Sequence, residues 1–587
     1  MLDRAISKYH TFLVLGIFIV ASGLLLGAYR EVNQKTLSDE AFAGRTDTEL
    51  YRASLKTEAL LARTVEQWVF VGLAMLKLGI GFAIATIVMN LRDTGTRSRE
   101  AFNSIGEKMP VERIPFFARA FAPLMMVGFL IVLLAFFPFT IWWDLNATKL
   151  IDMQLDGLTG TSEYHRALEL DKLLDHLIKP GKMIGTGFLI LGISMGLASI
   201  IMNLRTQSQV MPNKMIRIIA RSKGDKTERE EMALPEPPVK LLVLPALGFL
   251  FVLSGTFPLS IIRSLRELVV LRGEAAGIAS SQALLSARTS ANVLEHFIEP
   301  WIFLGLSLML VGIGILLLNI IGSLRDQRSN FGSMLGKIMK KDLPPVEPPL
   351  WTTKVVYYLL GVGLLIVLFN LFPLMFMQIG SERGAQAFAF IGMSDSVEYH
   401  DATKNVRILE EIIKPLKFIG LSTIMLGIGF SLVTIVINLK LTGIQLPGIF
   451  SRVLEACKGK EPEEFKAEEI PEPLSLAPWK LLAPLIIGVL MVYSATFPLS
   501  YWRVQSTQAF LAEELVGNTG SERWQQAVLS ERLLEHAILP WKIFGIGLIF
   551  FAIGKFFATI VGFVTARKMV VTDGVRACVQ YVKEPDK

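Results

Sequence analysis

"WVFVGLAMLKLGIGFAIATIVMNLR", residues 68–92, opens on a tryptophan and closes on an arginine, with Lys77 as the charge inside it. A run of this length crosses the ~30 Å hydrocarbon core of a bilayer as one helix. Helix is the form it takes, because backbone exposed to lipid must satisfy its own hydrogen bonds.

The same pattern is written four more times: "GKMIGTGFLILGISMGLASIIMNLR" (181–205), "WIFLGLSLMLVGIGILLLNIIGSLR" (301–325), "LKFIGLSTIMLGIGFSLVTIVINLK" (416–440) and "WKIFGIGLIFFAIGKFFATIVGFVTAR" (541–567). Their basic ends, Arg92, Arg205, Arg325, Lys440 and Arg567, lie 113 to 127 residues apart. A second apolar series alternates with the first. "FFPFT" (136–140), "TFPLS" (256–260), "LFPLM" (371–375) and "TFPLS" (496–500) place Pro138, Pro258, Pro373 and Pro498 near its ends, while the first member has Gly27 in that area. Ten blocks result: 12–28, 68–90, 118–143, 182–203, 241–262, 301–322, 355–377, 416–438, 481–500 and 541–564.

The expected fold is an all-α polytopic membrane protein whose ten transmembrane helices form five parallel two-helix repeats. The repeats run 1–117, 118–239, 240–354, 355–480 and 481–587. Each carries an outer amphipathic helical segment, as in "SERWQQAVLSERLLEHAILP" (521–540), where Leu529, Leu533 and Leu534 recur at helical spacing. Pro180, Pro300, Pro415 and Pro540 are expected in the first turn of the next span. The pattern permits a closed ring or an open arc.

Composition agrees: hydrophobic residues make up 52% of the chain and mean hydropathy is +0.49. The N-terminal block reads as an uncleaved first span. Segments 1–11, 91–117, 204–239, 323–354, 439–480 and 565–587 hold 31 Lys and Arg, against 20 in the alternate segments. The richer set is expected in the cytoplasm, with both termini inside (N-in/C-in). Carboxylates number 23 inside and 29 outside, which is all 52 of them, so no block contains one. The cell (inner) membrane of a prokaryote is the expected location. Cys457 and Cys578 then lie on the cytoplasmic side, where disulfides are rare.

Gly72 and Gly79, Gly185 and Gly192, Gly305 and Gly312, Gly420 and Gly427 are each seven apart, hence on one helix face. They are read as helix-packing sites, since small residues let helices approach closely in lipid. Trp68, Trp301 and Trp541 mark a membrane boundary. Basic stretches "NKMIRIIARSK" (213–223) and "SNFGSMLGKIMKK" (329–341), each followed by a proline-rich link, are expected on the anionic inner leaflet.

His176, His296 and His536 occupy one repeat position, four residues before the proline, with Arg63 and Glu411 as their counterparts. A protonated ring there suits the negative end of a helix dipole. Glu411 fits only if it pairs with a neighbour. The sharper alternative is three imidazoles on one metal, which requires them to meet at a ring axis. His165 and His400 form a second equivalent pair. Lys77 and Lys555 are the charges deep in the spans, and an intramembrane charge marks a candidate functional site.

Carriers coupled to protons or sodium commonly use intramembrane carboxylates and mid-membrane helix breaks, and the sequence shows neither. A pore calls for polar residues recurring on one face, and the candidates are thin: Asn370, Ser260, Ser500, Asn90, Asn203 and Asn438. No nucleotide loop, HExxH or nucleophile motif is present, so neither an enzyme nor a cofactor is expected. The reading that remains is a non-catalytic scaffold or accessory subunit, associating with itself or with a larger membrane complex and not with nucleic acid. A passive channel or anion-handling transporter is the alternative.

Overall fold

The computed structural model describes residues 8–107, 115–222, 235–276, 281–339, 350–393, 396–460 and 476–584, and all the regular structure among them is helical. Ten helices are long and apolar enough to cross a membrane: α1 (Tyr9–Phe42), α2 (Glu49–Asn103), α3 (Phe116–Leu155), α4 (Ser162–Ser222), α5 (Val239–Ala275), α6 (Gln282–Lys337), α7 (Trp351–Phe390), α8 (Val397–Cys457), α9 (Trp479–Glu514) and α10 (Glu522–Lys583). They pack as five pairs, each odd helix lying along the even helix that follows it.

The two kinds differ in burial. In the even helices 67–89% of the most apolar window is buried, and in the odd helices 28–39%. The even helices therefore form an inner ring and the odd helices a shell. Neighbours in the ring run parallel. At one end Lys182 of α4 pairs with Glu66 of α2, and at the other Gln207 donates to the Leu91 carbonyl at 2.8 Å. Asn330 of α6 reaches Ser208 of α4 at 2.9 Å, and Arg328 of α6 reaches Asn438 of α8 at 2.6 Å. Phe450 of α8 packs against Gly574 of α10. The ring closes, because Asn90 of α2 donates to Thr565 of α10 at 2.9 Å and Lys568 of α10 pairs with Asp93 of α2.

Glycine sets the spacing within each pair. A Cβ added to Gly128 would lie 2.6 Å from the Gly185 carbonyl oxygen, and one added to Gly185 would lie 2.7 Å from that of Gly128. Gly16 with Gly72, Gly248 with Gly305, Gly363 with Gly420, and Gly488 with Gly545 repeat this reciprocal contact. Gly79, Gly192, Gly312 and Gly427 face the same partner helix further along, against Leu13, Met125, Pro245 and Leu359. A second set, Gly81, Gly314, Gly429 and Gly554, receives the odd helix of the next pair, at Met125, Leu360, Leu485 and Leu13.

Both arms of the outer segments are helical, which the sequence showed for one arm. The odd helices continue past their prolines through a single π-helical turn: Ala135–Thr140, Gly255–Leu259, Asn370–Leu374 and Ala495–Leu499. Proline lacks a donor, and the wider turn relieves its clash with the preceding carbonyl. Thr140, Ser260 and Ser500, two residues after the proline, donate to the carbonyls of Ala135, Gly255 and Ala495. Glycines with positive φ turn the chain at Gly44, Gly157, Gly392 and Gly517. Each even helix then starts on a hydroxyl cap: Thr48, Thr161, Ser281, Ser396 and Ser521 accept from the amide three residues on.

Two expectations need correction. Pro180, Pro300, Pro415 and Pro540 do not begin the inward spans, since α4, α6, α8 and α10 run through them unbroken. The basic stretch from residue 213 continues α4 instead of offering an apolar face to the inner leaflet. Its Met215, Ile218 and Ile219 are buried with Phe102, Phe331, Met334, Phe450 and Val575 in a second apolar core, made by all five even helices beyond the membrane-length blocks. The side chains of residues 338–341, the link at 343–349 and most of the link at 470–478 lie outside the described residues.

Candidate functional site

The histidine position lies at one end of the ring, and each of its five members meets an ionisable side chain of the next helix pair. Burial lowers the His536 pKa to about 4, so that ring meets its carboxylate neutral. Arg63 of α2 bonds Asp171 of α4 at 2.9 Å, and His176 of α4 meets Glu267 of α5 at 2.5 Å. His296 of α6 lies 4.0 Å from Glu382 of α7, and Glu411 of α8 is 2.9 Å from Arg503 of α9. His536 of α10 completes the circuit 3.5 Å from Glu58 of α2, which also holds Arg30 at 2.7 Å. Glu411, the residue that did not suit a helix C-terminus, has found its partner. The five positions hold neighbours to one another and do not converge. No group of three His, Cys, Asp or Glu among the described residues is placed to hold a metal ion.

Six residues further along, three copies carry a lysine that the sequence reading counted only as the edge of a span. Lys182, Lys417 and Lys542 are buried, and each lies over a phenylalanine of the preceding ring helix: Phe70 at 4.6 Å, Phe303 at 4.7 Å and Phe418 at 5.2 Å. Two of them pair with a carboxylate one turn back on that helix, Lys182 with Glu66 and Lys417 with Glu299. The corresponding residue for Lys542 is Lys414, itself paired with Glu410. Lys542 is thus a buried cation with no carboxylate partner among the described residues. The signal was in the sequence: a lysine three residues before the first ring glycine in the second, fourth and fifth copies.

A cavity of about 300 Å³ opens beside Lys182, lined by α2, α4, α5, α6, α7 and α8. Glu66, Lys179, Lys182, Arg263, Glu299 and Lys414 face it. Its carboxylates and cations largely neutralise each other: Lys179 bridges Asp175 at 2.8 Å and Arg263 bridges Glu295 at 2.9 Å. What this mouth offers is paired charge, with no thiol or hydroxyl poised on a base.

One stretch of the axis is lined by apolar groups alone. Ile87, Leu91, Ile200, Leu204, Leu317, Ile320, Leu324, Ile435, Leu439, Phe557, Ile560 and Val564 leave a space of about 20 Å³ with no polar lining. A wet site needs polar partners, and the pore candidates are spent elsewhere. Asn203, Asn438, Ser260 and Ser500 bond their own helices, Asn370 bonds the Ile413 carbonyl and Asn90 bonds Thr565. Lys77 and Lys555 sit at the seam where the last pair meets the first. Lys77 of α2 lies 5.0 Å from the Phe550 ring of α10, and Lys555 of α10 lies 5.5 Å from Phe551. His165 and His400 each meet the tyrosine beside them edge-on near a helix start.

Trp68, Trp301 and Trp541 donate to Ser22, Ser254 and Ser494 of their paired helices at 2.7, 3.0 and 3.0 Å. No family model matches the chain, and neither a curated protein nor a solved structure matches it.

Proposed function

We propose that the five helix pairs are five parallel copies of one unit, set in a cell inner membrane with both termini in the cytoplasm, and that the ring is a non-catalytic scaffold. It acts by lateral association, with further copies of itself or with a larger membrane complex. The observation that carries this reading is one stretch of the axis, which side chains from all five even helices close with apolar groups, together with a second apolar core further along. A surface for lateral contact is supported by the odd helices, whose Phe18, Leu130, Leu250, Leu365 and Leu490 point outward. The excess of Lys and Arg in one set of connecting segments supports the orientation. With the apolar side of 213–222 already buried, contact of that end with anionic lipid headgroups rests on charge alone.

A second reading, an anion-selective pore closed at the apolar constriction, is favoured by Lys542, the buried lysine with no carboxylate partner among the described residues. One experiment separates the two. The particle is released from native membranes with a mild detergent and its composition determined, and the purified chain is assayed for chloride flux in liposomes. The scaffold reading expects a fixed-ratio assembly and no flux. Flux that falls on Lys542→Met would replace it with the pore.

A further inference from the structure

Leu91, Leu204, Leu324, Leu439 and Val564 come one from each ring helix and line the same axial space. Seven residues on, Met211, Phe331, Leu446 and Val571 share the second apolar core, and the fifth member is Ser98, buried with its hydroxyl unpartnered. The two sets are therefore successive layers of one five-helix seam with heptad spacing. The intervening position, three residues past the first layer, is polar in every helix: Thr94, Gln207, Gln327, Thr442 and Arg567. All five are buried, Gln327 to 1% and Arg567 to 6% exposure.

Three of the five are accounted for. Thr94 and Thr442 donate to the Asn90 and Asn438 carbonyls at 2.8 and 2.7 Å, and the Gln207 amide donates to Leu91. The other two are not. Both amide atoms of Gln327 and Nη1 of Arg567 are buried without a hydrogen-bond partner, and no carboxylate among the described residues pairs with Arg567. A buried charge without compensation is strongly unfavourable, as is an unmatched buried amide. Water answers the amide but leaves the guanidinium charge uncompensated between two apolar layers. An anion compensates the guanidinium charge and accepts from the amide N–H, which leaves only Oε1 of Gln327 in need of a donor.

We propose that this layer binds a small inorganic monovalent anion, of the chloride class, on the axis of the ring between Arg567 and Gln327. The tight packing sets the size. The next layer outward leaves about 20 Å³, and Phe331 belongs to the apolar core inward, which favours a small ion over a polyatomic oxyanion. The ligand ties α6 to α10, which are not neighbours in the ring, and so acts as a cross-brace at the inner end.

The test uses the full chain in detergent, at constant ionic strength, with gluconate exchanged for chloride or bromide. Thermal unfolding is expected to shift upward by several degrees and to saturate with either halide, and ³⁵Cl resonance broadening is expected to be displaced by bromide. Arg567→Met removes the uncompensated charge, so the variant is expected to be stable in gluconate and to show neither response. Gln327→Leu, which keeps the charge, is expected to weaken the halide response about tenfold, and it serves if Arg567→Met fails to fold. Identical unfolding in gluconate and chloride overturns the proposal, as does a halide response that survives in both variants. The outcome does not depend on whether the ring associates laterally.

Discussion

Gly128 and Gly185 approach so closely that neither tolerates a methyl group without backbone movement. Gly128→Ala is therefore expected to destabilise the protein by ~1–3 kcal/mol, the range for overpacking. Gly361, in the same type of helix, has nothing within 4 Å of an added Cβ. Gly361→Ala is expected to be neutral or stabilising by up to ~1 kcal/mol through helix propensity. Denaturant unfolding in one detergent compares the two, and equal losses would count against glycine-set packing. The pair of buried Lys182 with half-buried Glu66 gives a second residue-level test. Glu66→Gln strands the Lys182 ammonium and is expected to cost ~3 kcal/mol, while adding Lys182→Met recovers most of the loss. If the double variant stays as weak as the single one, the pair is not what couples α2 to α4. The ring glycines were legible from a seven-residue spacing that recurs in four even helices. Among their partners, Gly16 and Gly248 have a glycine seven residues on, at Gly23 and Gly255, and Gly128, Gly363 and Gly488 do not, so the odd helices show no common spacing. The lysines at 182, 417 and 542 were hidden by their place, because a cation at the end of an apolar block looks like the boundary itself.

The helices are longer than their apolar blocks suggest, and the reason is chemical. Proline in the first turn and proline inside a helix read alike in sequence. Here a π-helical turn with a hydroxyl two residues on carries three of the odd helices through their prolines, and α7 has Met375 at that place. The same continuity takes the even helices past the membrane-length blocks into the second apolar core. Amphipathic basic stretches do have the composition of leaflet-binding helices. What redirected them is the presence of four equivalent neighbours to bury against, which no single stretch reveals. At this end Lys214 of α4 holds Glu107, which follows α2, at 2.9 Å. Burial pushes the Glu107 carboxyl up, but Lys214, with Arg217 and Arg221 nearby, outweighs burial and leaves it below its ordinary value. A depressed folded-state value adds stability that is present above the unfolded carboxylate pKa, about 4.3, and fades as pH falls through the folded one. Lys214→Met is expected to lower the unfolding midpoint at pH 7 and to shrink the difference from wild type at pH 3. A difference that stays constant across that range would mean the lysine acts through its stem alone.

Closure of the ring is the feature the sequence pattern could not supply, because five similar helix pairs satisfy an arc as well as a circle. What decides it is the fit of the first copy to the last. Leu13 of α1 enters between Gly79 of α2 and Gly554 of α10, and Gly27 of α1 leaves room for Pro540. The first copy is the one without the odd-helix proline, and its helix is the one that bridges the seam. Closure brings the five apolar faces onto one axis and leaves the odd helices to meet lipid or partner, so the scaffold reading depends on it. The direct test is a cysteine pair across the seam, Asn90→Cys with Thr565→Cys, in a chain whose Cys457 and Cys578 are replaced by serine. After mild oxidation in native membranes and a protease cut in a connecting segment, the first and last fragments are expected to stay joined until reductant is added. Fragments that separate without reductant, under conditions where a control pair at Ser208 and Asn330 does crosslink, would show an open arc and contradict the sealed ring.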